Sequence, residues 1–216
     1  MNKLAIAPYK GIFRSLRFRN YRLLFFGQLV SISGTYMQSM AFSWMVFTIS
    51  GSALNLGLNV FLGAFPTLLL VYQGGRLADW WGGRRVLLLT QSLALMLALS
   101  LFFVTSSSVA MISLPFLYGF TVAQGVLDAL EMSSRQVLVR HSVPDKSFLV
   151  NAASLTTSLL HLSRIAGPAM AVVILSNWGA PICFLINAAS YLVSLVTIYQ
   201  MKLAQNQEVQ SLFLAN

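Results

Sequence analysis

Gly74-Gly75-Arg76-Leu77-Ala78-Asp79-Trp80-Trp81-Gly82-Gly83-Arg84-Arg85 is a short basic segment set between two long stretches that carry no charge at all. The run before Arg76 covers residues 23–75, and the run after Arg85 covers residues 86–127. A third apolar block, residues 147–201, is broken only by Arg164. A membrane span needs ~20 apolar residues rising ~1.5 Å each, so every block is long enough for two spans and a turn.

Composition agrees with this reading. Of 216 residues, 57% are hydrophobic and only 9% are charged, with a mean hydropathy of +0.74. Soluble domains carry about 25% Asp, Glu, Lys and Arg, so this chain lacks the polar surface to remain in water. It reads as an all-α integral membrane protein whose first partner is the lipid bilayer. A net charge of +9 would raise nucleic-acid binding in a soluble protein. Here the charges are too few and too segregated, and no nucleic-acid partner is expected.

Turn signals sit near the middle of each block: TISGS at 48–52, TSSS at 105–108 and SNWGAP at 176–181. The pattern predicts six helices in three hairpins, at 23–47, 53–72, 86–104, 109–131, 148–175 and 182–201. This divides the chain into a basic arm (1–22), a helical bundle (23–201) and a short tail (202–216).

Basic residues then orient the bundle. Lys3, Lys10, Arg14, Arg17, Arg19 and Arg22 precede the first helix; Arg76, Arg84 and Arg85 follow the second. Arg135, Arg140 and Lys146 follow the fourth helix, and Lys202 the sixth. Thus 13 of the 14 basic residues fall on one face, which the positive-inside rule assigns to the cytoplasm. Both termini are expected there.

The arm alternates Phe13, Leu16 and Phe18 with arginines. Either it lies as a short helix on anionic headgroups or it is a solvated topogenic tail. No cleavable signal is visible, because residues 5–8 are too short for an apolar core. Cys183 is the only cysteine, which excludes an internal disulfide.

Enzyme chemistry has no visible constellation. His141 and His161 are the only histidines, and the zinc and serine-hydrolase motifs are missing. No lysine follows a glycine, so a phosphate-cradling loop is lacking and uphill transport would draw on no ATP site of this chain. Neither a cofactor nor a metal site is expected.

Within the spans, several polar residues stand out. Asp128, Glu131 and Arg135 share one face of the fourth helix, where Gln124 also lies within the span, and Glu131 with Arg135 forms a favourable i, i+4 pair. Arg164 lies near the centre of the fifth span, where an unpaired cation costs about 2.5–3.5 kcal/mol on insertion scales. It should therefore face protein or water. Pro168 removes a backbone hydrogen bond, while Ala166, Gly167 and Ala169 permit a close helix contact. Gln28, Ser31, Ser33, Gln38, Asn59, Gln91 and Asn187 either line a central path or bridge helices.

The segment 74–85 resembles the signature loop of the major facilitator superfamily, G-x-L-A-D-R-x-G-R-R/K, placed between the second and third helices as in that family. Gly75, Leu77, Ala78, Asp79, Gly82 and Arg84 match; Trp80 and Gly83 depart from it. The resemblance implies a cytoplasmic gate of Gly75, Asp79, Gly82 and Arg84, with Asp128 or Glu131 as its acidic partner in the fourth helix. Gln124-Gly125 is similar to the end of an antiporter motif in that helix, with Thr121 where arginine is usual. Gly167-Pro168 resembles the exporters' fifth-helix motif, with Ala171 in place of a usual glycine. Together with R-N-Y-R at 19–22, Gly27-Gln28 and S-R-Q at 134–136, these matches are similar to the bacterial efflux branch that includes enterobactin exporters and macrolide efflux pumps.

That resemblance implies a bundle with a 3+3 inverted repeat, in the bacterial inner membrane, forming half of a twelve-helix secondary exporter of small molecules such as siderophores or drugs. Gln28, Gln124 and Arg164 are expected on its transport path. Residues 204–216 are unlike a linker to another bundle. The chain is then an inactive fragment, or pairs with itself or a separate second half; the remaining alternative is an unrelated six-helix channel or scaffold.

Overall fold

The computed structural model describes residues 11–107 and 112–201. Lys3, Lys10, Lys202, the tail, the start expected for the fourth helix at 109 and the side chain of Lys146 lie outside the described residues. A 3-10 turn, Arg14–Arg17, leads into α1 (Arg19–Ser50), α2 (Ala53–Trp81), α3 (Gly83–Ser107), α4 (Leu114–Ser142), α5 (Lys146–Trp178) and α6 (Ala180–Tyr199).

The hairpin between α2 and α3 is tighter than expected. Residues 74–81 continue α2 instead of forming a loop, and only Gly82 separates it from α3. The reason is local: Leu77 and Ala78 favour helix, whereas Gly82 adopts φ 86°, a region that disfavours side chains. Asp145 opens α5 by accepting a hydrogen bond from the Ser147 amide at 3.2 Å.

Four helices, α2, α3, α5 and α6, are long and apolar enough to cross a membrane. The other two, α1 and α4, are as long but carry their polar residues inward: Gln28, Ser31, Ser33 and Gln38 are buried on α1, and Glu131 on α4. Packing explains that difference. α1 packs mainly on α5 and α6, α4 on α2 and α3, and α3 meets α6. The two least apolar helices thus each pack mainly on two of the more apolar four.

α3 presents Leu89, Leu93, Met96 and Phe103, and α6 presents Leu185, Ile186, Leu192, Val193 and Val196, as a lipid-facing surface requires. α5 exposes Val150, Leu162 and Ile165, and beside them Ser154, Thr157, His161 and Arg164, spaced three or four residues apart on one side. A polar stripe at that depth belongs against water or protein.

Candidate functional site

Between α1, α2, α3 and α4 lies a cavity of about 310 Å³. Gln38, Asn59, Thr121, Gln124 and Asp128 supply polar groups to its wall, and Phe42, Leu97 and Phe120 supply apolar surface. Gly63 and Gly125 also face it. A few fixed polar groups in an otherwise apolar concavity orient a small ligand without demanding full desolvation of charge.

Its polar groups are held by one another. On α4, the Gln124 Nε2 donates to Asp128 Oδ1 at 2.9 Å and to the Tyr191 hydroxyl on α6 at 3.5 Å. Tyr191 in turn shares a 3.0 Å hydrogen bond with Thr35 on α1. Thr121 donates to Asn59 at 2.6 Å, tying α4 to α2 across the wall. Asn187 donates to Gln38 at 2.9 Å. A buried network of this kind fixes rotamers, because each unpaired buried polar group would cost about 1–3 kcal/mol.

The residues expected on a path are distributed unevenly. Gln124 lines the cavity. Gln28 is buried away from it, and neither of its amide atoms has a partner among the described residues. Arg164 sits outside the cavity, on the exposed side of α5, where its Nε donates to the Tyr36 hydroxyl at 2.7 Å. Its guanidinium carbon is also 5.7 Å from the centre of the Tyr36 ring.

The residues expected to form a gate are not joined to one another. Asp79 is exposed in the last turn of α2, and Gly75 has open space where a side chain would be. Arg84 donates to the Tyr199 carbonyl at 2.7 Å, closing the end of α6. Asp128 faces the cavity with Gln124, and Glu131 pairs with Arg135, the only ion pair among the described residues.

Two glycine contacts bring α4 against α2 and α5 against α1. A Cβ on Gly125 would strike the Gly63 carbonyl and come within 3.2 Å of the Pro66 ring, so α4 can approach α2 here only as glycine. A Cβ on Gly167 would meet the Ser33 carbonyl at 2.7 Å and the Tyr36 side chain at 2.6 Å, which fixes the α5–α1 contact beside Pro168.

Sequence reading passed over Thr35, Tyr36, Tyr191 and Pro66. Tyr191 and Tyr36 look like ordinary span aromatics until their hydroxyls are seen to meet Gln124 and Arg164. Pro66 was visible as a lone proline inside an apolar run.

Comparison with known proteins agrees with this architecture. A family described as transmembrane secretion effector matches residues 10–212. The Staphyloferrin A transporter of Staphylococcus aureus is 29% identical over 163 residues, covering 76% of this chain and 41% of that protein. The Multidrug efflux pump Tap of Mycolicibacterium fortuitum is 26% identical over 188 residues, covering 84% of this chain and 45% of that protein. The chain therefore spans less than half the length of these relatives. No solved structure matches it. With its apolar helices and a match over nearly its whole length, the chain is a multi-pass membrane protein that belongs to the transmembrane secretion effector family of major facilitator transporters.

Proposed function

We propose that this chain forms one six-span bundle of an ion-gradient-driven exporter in a bacterial cytoplasmic membrane, with both ends inside. The bundle moves small molecules by rocking against a second bundle. The cavity walled by Gln38, Asn59, Thr121, Gln124 and Asp128 carries the reading, because it puts orienting polar groups inside a membrane helix bundle.

A 3+3 repeat is supported by the packing: exchanging α1, α2 and α3 for α4, α5 and α6 leaves the pattern of main helix contacts unchanged. The polar stripe on α5 supports a second bundle or a water-filled path on that side. Asp79 takes a partner from that bundle and acts as the gate in this reading; its exposure at the end of α2 supports it. Siderophores and amphipathic drugs are the solute classes carried over from the relatives' names.

The test is reconstitution in liposomes with an imposed proton or sodium gradient, together with the native mass in detergent. A paired particle with gradient-dependent flux is the expected result. A second reading is a bundle inactive by itself, because alternating access needs a second bundle to rock against. A particle holding one 23.7 kDa chain with no flux would establish that reading instead. Labelling of cysteines placed at Arg84 and Arg140 checks the orientation; access from outside intact cells would overturn it.

A further inference from the structure

Arg164 is the only basic residue within the apolar blocks, and its position leaves it few ways to be satisfied. It lies roughly 27 Å from the start of α5 and roughly 21 Å from its end at 1.5 Å per residue. A side chain that reaches ~7 Å cannot snorkel to headgroups from there. Among the described residues no carboxylate is within ion-pair distance of it. Yet the side chain is not loose: Tyr36 accepts from Nε at 2.7 Å, and its ring flanks the guanidinium.

With Nε engaged, the two terminal nitrogens remain as a planar fork of donors on an exposed side chain. Such a fork matches a carboxylate or phosphate with two parallel hydrogen bonds, and a tyrosine that holds it lowers the entropy lost on binding. His161 lies one turn away on the same exposed side of α5 and adds an imidazole.

We propose that Arg164, oriented by Tyr36, is an anion subsite, and that the transported solutes include carboxylates. This rests on the transporter reading above, but its test does not require turnover. Carboxylates can come from a free solute, and phosphates from an anionic lipid; both chemistries suit the fork, so the measurement separates them.

The full chain is purified in neutral detergent and citrate binding is read by equilibrium dialysis, with ethidium as the cationic comparison. Expected is saturable citrate binding that weakens with salt, falls at least tenfold in Arg164→Gln, and falls less in Tyr36→Phe. Arg164→Lys should keep part of it, since an ammonium lacks the fork. Arg140→Gln, which removes a charge outside the span, should change nothing. Thermal unfolding of Arg164→Gln confirms that the variant is folded.

Failure of the wild-type chain to bind citrate, or equal binding by wild type and a folded Arg164→Gln, would overturn the proposal. So would binding of phosphatidylglycerol through Arg164 without citrate, which would make the anion a headgroup. Gradient-driven ethidium flux without citrate binding would sink the anion subsite and leave the transporter reading intact. Citrate binding without any flux would keep the anion subsite and sink the transporter reading, and with it the claim that carboxylates are transported.

Discussion

Asn151, in the second turn of α5, holds Ser15 of the segment before α1 by accepting from both its amide and its hydroxyl, at 3.1 and 2.7 Å. The same side chain donates to the Ile12 carbonyl at 2.7 Å, and Arg14 donates to the Ser147 carbonyl at 2.6 Å. Phe18 meets Phe148 edge-on at 5.0 Å. From residue 12 onward the arm is neither a free tail nor a separate surface helix: it is strapped to the start of α5. Asn151→Ala should release it and leave the buried Ser15 amide unpaired, at about 1–3 kcal/mol, while the Ser15 hydroxyl keeps the Phe148 carbonyl at 3.1 Å. Faster protease cleavage between residues 11 and 18, with a lower unfolding temperature, is the expected outcome. Asn151→Asp, which keeps the acceptor and loses the bond to Ile12, should fall between. Cleavage unchanged in Asn151→Ala would show the strap to be unimportant.

Gly125 and Gly75 make a paired prediction, since both occur in motif-like segments but only one is packed. Gly125→Ala must push α4 off the Gly63 carbonyl and the Pro66 ring, neither of which can move cheaply, so a loss of about 1–3 kcal/mol is expected. Gly75→Ala meets nothing and replaces a helix-interior glycine, so it should be neutral or stabilising by up to about 1 kcal/mol. Thermal unfolding in detergent reads both. If Gly75→Ala nevertheless lowers flux, the loss belongs to the gate and not to folding.

How far the sequence led can be judged from particular residues. The charge-free runs located the six helices of the described residues, because a long run without charge and with few turn signals reads as apolar helix. The same rule could not say that α2 continues to Trp81, since amphipathic helix ends and basic loops share one composition. Glu131–Arg135 was legible because it is local, four residues apart on one helix. Thr35, Tyr191 and Gln124 were not, because their meeting depends on how three helices far apart in sequence come together. Arg164 was recognised as needing company; that the company is Tyr36 is a fact of the α1–α5 crossing at Gly167.

Arg84 offers a test of a local role against a distant one. Its terminal nitrogen caps the Tyr199 carbonyl, where the negative end of the α6 dipole lies. Arg84→Gln should fray the last turn of α6, seen as faster hydrogen exchange at residues 196–199, at a cost of about 0.3–1 kcal/mol. Exchange unchanged there would mean the bond contributes little.

Asp128 decides between two uses of the same carboxylate. A gate residue works by pairing with a cation at the cytoplasmic end, so losing its charge slows cycling while solute affinity stays the same. A cavity residue works by meeting the solute or the coupling ion, so losing its charge changes affinity or the gradient dependence. Its position on the cavity wall, bonded to Gln124 at 2.9 Å, favours the second use. Asp128→Asn keeps the size and an acceptor oxygen for Gln124, so unfolding should shift by less than about 1 kcal/mol. Solute affinity in detergent should change at least threefold for a charged solute, and liposome flux should lose its dependence on the gradient. Unaltered affinity with slower flux would return Asp128 to the gate, beside Asp79.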